Sequence, residues 1–262
     1  MRKLSSRQTS PFRREMVSLL ACSPDPFSSA LYQMDIDACR QRAKALSAGT
    51  GPRITLTPII IKLLAHAIAE NPVFNRMVFG GDIYELADIT IGNLAMVPGT
   101  DGVTYIMFEN PHLKTLDVVQ QELFAGIKDA QARAALPPHP LTAWLTNLCY
   151  RYGLYRLIGR RRTFSLGYRH GHLSNISLSI HTYTAKTNFT MLKDIVPAIN
   201  ISLRIHVCGP VKKPVLESGM LVVREMLELN VTADHRIVDG SHFFAFGRSL
   251  EKITANPEQY FG

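Results

Sequence analysis

The chain has no run of about 18 apolar residues, which leaves it without a sequence candidate for a membrane-spanning helix. It has only four cysteines in 262 residues, Cys22, Cys39, Cys149 and Cys208. They are scattered, with no C-x-x-C pair, so reduced thiols are expected rather than disulfides or a zinc site, and no metal is expected. The basic N-terminus, Met1 to Gln8, is followed by no apolar signal core, because Arg13, Arg14 and Glu15 interrupt. A cytoplasmic protein is expected. Internal repeats and low-complexity segments are absent. Acidic residues are missing from the stretch that carries Arg151, Arg156, Arg160, Arg161, Arg162 and Arg169, which concentrates much of the net charge of +8. Such a patch fits an anionic partner: anionic lipid, a phosphorylated cofactor, or nucleic acid. No RNA- or DNA-binding fingerprint accompanies it, so nucleic acid is not expected as a partner. A solvated basic face is the plain alternative.

What is present is enough apolar material, 46% of the chain, to bury a sizeable core. The length suits one large α/β domain better than two average ones. Residues 1–10 read as a disordered basic tail and 11–262 as the single domain. The periodicity predicts helices over Arg13–Leu20, Ala38–Leu46 and Leu116–Ala135, and a helix after Thr57, with Thr57 as cap and Pro58 at its first position. His66 lies inside that last helix and reads as a core-edge histidine. Strands are predicted at Ser29–Asp37, in two pieces between Ile83 and Val97, at Val103–Phe108, around Gly171–Ile180 and at Pro197–Val207. Gly209 to Val215 reads as a turn, and Gly219 to Val231 as a hairpin strand. The residues around 137–162 form a basic, aromatic helical segment, with Trp144, Leu145, Leu148, Tyr152 and Tyr155 between arginines. Such a helix either packs on the domain or a partner subunit, or makes a peripheral contact with a membrane surface.

The chemistry is concentrated near the C-terminus. A Leu- and Val-rich strand, Leu229-Asn230-Val231-Thr232-Ala233, ends in Asp234-His235-Arg236-Ile237-Val238-Asp239-Gly240. Phe243, Phe246, Leu250 and Ile253 follow at helical spacing. His235 therefore stands where a strand ends, Gly240 can supply a sharp bend, and a helix begins just beyond. A histidine that titrates near neutrality, with a carboxylate four residues on, suits proton transfer to or from a thiol or alcohol. A histidine satisfied in a turn, with Asp239 capping the helix, is the structural alternative.

Asp-His-Arg-Ile-Val-Asp-Gly resembles the Asp-His-Arg-x-x-Asp-Gly signature of the acyltransferase (E2) catalytic domain of 2-oxo acid dehydrogenase complexes. Its His-x-x-x-Asp-Gly kernel is shared with chloramphenicol acetyltransferase. Upstream, Tyr32–Asp37, Ile54–Asn75 and Asp88-Ile89-x-Ile91-Gly92 resemble further segments of that family, and Val103–Phe108 departs from it in lacking a proline. The resemblance implies an α/β (α+β), chloramphenicol acetyltransferase-like fold: a mixed β-sheet flanked by helices, assembled as a homotrimer or a larger shell of trimers. It implies direct transfer of an acyl group from coenzyme A to a thiol of dihydrolipoyl type or another nucleophile. The implied catalytic residues are His235 as general base, Ser174 as hydroxyl donor to the oxyanion, and Asp239 as a loop-fixing ion-pair partner of Arg236 or another arginine. Asp234, Arg236 and Gly240 are supporting residues, and the residues that bind the cofactor are not identified. Ser177 and Ser179 are alternatives to Ser174, because Ser177 stands where the family has glycine. The family carries its lipoyl group on the same chain; this sequence shows no lipoyl domain, so the implied acceptor is a separate lipoyl-carrying protein or a different thiol, alcohol or amine. A non-catalytic trimeric scaffold, or a membrane-associated interaction protein of the same fold, is the competing expectation.

Overall fold

A computed structural model of the chain describes all residues except 6–7, 24, 49–52, 80, 100–102, 136–139, 154–175, 182–200 and 262. Its described strands are β1 (Arg2–Lys3), β2 (Phe27–Asp35), β3 (Arg76–Phe79), β4 (Asp82–Glu85), β5 (Thr90–Met96), β6 (Val103–Glu109), β7 (Ile176–His181), β8 (Leu203–Glu217) and β9 (Met220–Asp234). Its described helices are α1 (Pro11–Leu19), α2 (Asp37–Leu46), α3 (Leu56–Glu70), α4 (Leu116–Ala135), α5 (Pro140–Arg151), α6 (Gly240–Ala255) and the single turn α7 (Pro257–Tyr260).

The six-stranded sheet has the order β2-β9-β8-β7-β5-β6. β7 runs parallel to both β5 and β8, and the other pairs are antiparallel, so the sheet is mixed as expected. A smaller sheet has the order β1-β4-β3.

Paired residues share a face, and that face alternates along each strand. One face of the large sheet is apolar: Leu178, Ile205 and Val231 lie side by side in register, with Val207 and Leu229 beyond them. These side chains join one core with α3 and α6. α3 is buried nearly all round, from Ile59, Ile60 and Ile61 to Ile68, which is how an apolar helix between two layers reads. From α6, Phe246 enters the same core, with its ring 4.7 Å from that of Phe74.

The opposite face carries polar residues in register. Ser177 on β7, Arg204 on β8, Thr232 on β9 and Ser29 on β2 form one row, and Ser179, His206 and Asn230 the next. Arg204, His206, Asn230 and Thr232 are nonetheless buried. At the sheet's other end Gly92 lets the Tyr105 ring lie across the backbone: a Cβ there would sit 1.9 Å from Cζ of that ring.

Three local expectations are corrected. The basic N-terminus is not a disordered tail throughout: Arg2 and Lys3 pair with β4, and Leu4 is 8% exposed. The helix α3 starts earlier, capped at Thr55 rather than Thr57. Thr55 takes no side-chain cap; its N–H and hydroxyl donate to Gln120 Oε1 instead. Pro58 thus lies two residues inside the helix start. Gly209 to Val215 is no turn, because β8 runs through it with a bulge between Cys208 and Val211 and reverses only at Ser218-Gly219. Both of those residues have φ in the left-handed region, 50° and 83°, as a tight hairpin turn requires. The first residues of the strand expected over Pro197–Val207 lie outside the described residues, and β8 is described from Leu203.

His66 is a core-edge histidine in this fold. Its Nε2 donates to the Tyr260 carbonyl at 2.9 Å, and its ring meets Tyr260 edge-on. Burial, helped by the nearby Lys62 ammonium, pushes its pKa down to about 4. The unfolded chain binds this proton near pH 6.5 and the fold only near 4, so the stability it contributes is present above about 6.5 and lost as pH falls toward 4. The loss amounts to roughly 2–3 kcal/mol. Urea unfolding at pH 7 and pH 4.5 should therefore show a pH dependence that shrinks in His66→Gln. An unchanged dependence would place the acid sensitivity elsewhere.

Candidate active site

The hairpin β8–β9 delivers His235. Asp234 N–H donates to the Ser202 carbonyl at 2.9 Å and His235 N–H to the Pro26 carbonyl at 2.7 Å, which ties the strand's end to its neighbours. The chain then turns tightly, with the N–H groups of Ile237 and Val238 both donating to the Asp234 carbonyl. Inside that turn His235 Nδ1 lies 2.7 Å from the Val238 carbonyl. A carbonyl only accepts, so Nδ1 carries the hydrogen, and in the neutral ring the lone pair is on Nε2. The turn thus sets the tautomer of a potential base.

Two ion pairs hold the turn. Asp234 is 2% exposed and takes a bidentate contact from Arg236, with Nη2 at 2.6 Å from Oδ2 and Nε at 2.9 Å from Oδ1. Such planar, charge-assisted pairs are the strong ones. Asp239 is held by Arg13 of α1, whose Nη2 is 2.7 Å from Oδ2. The same guanidinium reaches the His235 carbonyl at 3.4 Å. Ser241 Oγ donates to Asp239 Oδ1 at 2.7 Å. Partial burial would raise the Asp239 pKa, but the Ser241 and Arg13 hydrogen bonds and the nearby His242 outweigh it and hold the carboxyl at about 2. Asp239 is therefore a fixed anion across the working range.

Of the two partners open to Asp239, the structure selects another arginine, Arg13, while Arg236 is occupied by Asp234. Arg13 gave no local signal, since it lies 226 positions from Asp239 in the chain. Gly240 does not carry the bend. Its φ is outside the left-handed region and a Cβ there would meet nothing within 4 Å; the extended Asp239 makes the corner and caps α6.

Ser174 lies outside the described residues. Ser177 and Ser179 both project from β7 onto the polar face of the sheet, Ser177 buried and Ser179 half-buried. Ser179 Oγ is 3.0 Å from His181 Nε2, and the His181 ring stacks on that of His206 at 5.9 Å. Among the described residues no group of three or more His, Cys, Asp or Glu could hold a metal ion, and no helix is long and apolar enough to cross a membrane.

An expected outcome follows for the Arg13–Asp239 clamp. The folded pKa of Asp239 lies below its ordinary 3.8, so its stabilisation is in place above about pH 4 and lost as pH falls toward 2. Arg13→Ala should cost about 1 kcal/mol at pH 7, less than the shift alone would give because the carboxylate is partly solvated and screened. Urea unfolding at pH 7 and pH 3 checks this. An equal cost at both pH values would mean that Arg13 acts by packing alone.

Comparison with known proteins agrees with this geometry. Residues 177–262, which include all of β7 but Ile176, the hairpin and the His235 turn, match the family described as 2-oxoacid dehydrogenases acyltransferase (catalytic domain). A dihydrolipoamide acetyltransferase (E2p) of Azotobacter vinelandii superposes with a TM-score of 0.66 at 18% identity, over 96% of this chain and 88% of that one. The cubic core of a pyruvate dehydrogenase multienzyme complex superposes with a TM-score of 0.65 at 19% identity, over 96% and 88%. Chloramphenicol acetyltransferase does so at 0.52 and 16% identity, over 97% and 100%. At these identities the superpositions establish the fold, which covers almost the whole chain. The His235 turn thus lies inside a C-terminal segment that matches the 2-oxoacid dehydrogenase acyltransferase catalytic domain, and the chain as a whole has the chloramphenicol acetyltransferase-like fold.

Proposed function

We propose that this protein transfers acyl groups between coenzyme A and a thiol of dihydrolipoyl type, with His235 as general base. The observation that carries the reading is the 2.7 Å contact from His235 Nδ1 to the Val238 carbonyl, which leaves Nε2 as the proton acceptor in a turn clamped by Arg13 and Arg236. Nε2 takes the proton from the acceptor thiol, and the sulfur attacks the thioester carbonyl of acyl-CoA. The tetrahedral oxyanion then collapses, expelling the thiolate of CoA, which recovers the proton from His235. Asp239 stays ionised, and Asp239 and Asp234 hold the turn through their arginine partners.

A hydroxyl from β7 supplies the hydrogen bond to the oxyanion. We assign it to Ser179. Ser179 is more accessible than the buried Ser177, and its hydroxyl is oriented by His181. Both lie within the matched family segment, whereas Ser174 precedes it. The Azotobacter enzyme has been studied for the role of one serine, one histidine and one asparagine in its mechanism. The asparagine there stands four positions after the histidine, where this chain has Asp239. The serine there precedes its histidine by fewer residues than Ser174 precedes His235, and Ser179 comes nearest to that spacing.

The assembly proposed is a homotrimer or a shell of trimers, in which His235 faces the serine strand of a neighbouring subunit. The distal half of the β8–β9 hairpin supports subunit contact, since Leu216, Met220, Leu221 and Val223 are all exposed there. A protein carrying a lipoyl group would bring the acceptor. The test is mass-spectrometric detection of S-acyl-dihydrolipoamide from acetyl-CoA and dihydrolipoamide. Product above the enzyme-free rate is expected; its absence across several acyl-CoAs and acceptors would favour a non-catalytic scaffold.

A further inference from the structure

Two histidines stand beside the serine strand on the polar face of the large sheet. Ser179 and His181 lie two apart on β7, so both project from that face, and Ser179 stands in register with His206 on β8. Ser179 Oγ is 3.0 Å from His181 Nε2. The His181 and His206 rings are stacked, 5.9 Å apart and within 9° of parallel. His206 is 3% exposed, so the ring against which His181 rests is itself held by packing.

The placement of hydrogens in this contact decides what the hydroxyl can do. A serine hydroxyl has one hydrogen and two lone pairs. When it donates to Nε2 its hydrogen is used, and the pair has the arrangement of a nucleophile beside its base. When Nε2–H donates to Oγ, the hydroxyl hydrogen is left for an acceptor outside the pair. The second arrangement also makes the hydroxyl a better donor, because hydrogen bonds in a chain polarise one another. In a neutral imidazole it requires the hydrogen on Nε2, the reverse of the tautomer that the Val238 carbonyl imposes on His235.

We propose that His181 is a positioning residue that donates its Nε2–H to Ser179 and so reserves the serine hydrogen for the oxyanion, with the stacked His206 ring fixing its plane. This role rests on the acyl-transfer reading, in which the Ser179 hydroxyl meets the tetrahedral intermediate. In that reading His235 already removes the proton of the acceptor thiol, so a second base beside Ser179 has no proton to take. The two histidines then differ by tautomer: His235 presents a lone pair at Nε2, and His181 a hydrogen.

The tautomer is read without any assay of activity. Long-range proton–nitrogen NMR spectra of histidine-labelled protein, with His181 assigned by the signal lost in His181→Gln, should show its hydrogen on Nε2. A bare Nε2 would overturn the proposal. Nε2–H in a wild type that transfers no acyl group would sink the functional reading, and the oxyanion role with it, while the direction of the hydrogen bond stood. Kinetics then compare two side chains of nearly equal size. Gln keeps an N–H where Nε2 stood, whereas Glu places there an acceptor that takes the serine hydrogen. The kcat should stay within about tenfold of wild type in His181→Gln and fall about 10²–10³-fold in His181→Glu, close to Ser179→Ala, with KM for acyl-CoA little changed in both. Both variants are first checked for wild-type assembly and unfolding midpoint. Equal losses in the two folded variants would reduce His181 to packing and overturn the proposal. So would an acyl group found on Ser179 by mass spectrometry after incubation with acetyl-CoA, which would make His181 the base of a nucleophilic serine.

Discussion

His235→Ala should lower the rate of acyl transfer by about 10²–10⁴-fold, the range a positioned general base supplies. The loss should appear in kcat, with KM for acyl-CoA little changed, because the histidine acts on the acceptor's proton rather than on the bound thioester. His235→Gln is the sharper variant. Its amide nitrogen stands where Nε2 stood and accepts no proton, so the base is removed while most of the side-chain volume is kept. Two results together would identify His235 as the base: both variants inactive, and both with wild-type assembly and unfolding midpoint. If His235→Gln retained more than about a tenth of the activity, the base would have to lie elsewhere.

The second large effect is expected on β7. Ser179→Ala should cost about 10²–10³ in kcat, as loss of a single oxyanion donor commonly does, with little change in binding. Ser177→Ala should be milder, since that hydroxyl is buried in the row beside Arg204. Ser174→Ala completes the series. A dominant loss at Ser174 would return the role to the residue that the sequence motif favoured. His181→Ala should behave as a partial copy of Ser179→Ala, because it frees the hydroxyl to rotate without removing it.

The fold and half of the site were legible before any coordinates. The mixed sheet follows from β-patterned segments separated by amphipathic helices, and the Leu116–Ala135 helix was readable end to end from Leu116, Val119 and Leu123 on one stripe. The position of His235 at a strand-to-helix turn was legible because Leu229 to Ala233 and Phe243 to Ile253 carry opposite periodicities on either side of it. Arg13 was not legible. An ion pair between an N-terminal helix and a C-terminal turn leaves no trace in local pattern, and only the tertiary fold brings them together. Gly209 and Pro210 read as a turn because those residues usually end strands, whereas here they form a bulge that lets a long strand continue. Propensity points to Thr57 as the cap of α3. Gln120 on α4 overrode it by taking the N–H and hydroxyl of Thr55. The serine was ambiguous because Ser177 and Ser179 sit two apart on one strand and share a face, so alternation alone could not separate them.

The central claim is that the His235 turn drives acyl transfer from coenzyme A, and one measurement bears on it most directly. Release of free CoA is followed from a panel of acyl-CoAs with dihydrolipoamide and with simple alcohol and amine acceptors, for the wild-type protein and for folded, correctly assembled His235→Ala. The account predicts release that depends on the thiol acceptor in the wild type and vanishes in the variant. Release that persists unchanged in His235→Ala, or no release from the wild type with any pairing, would contradict it.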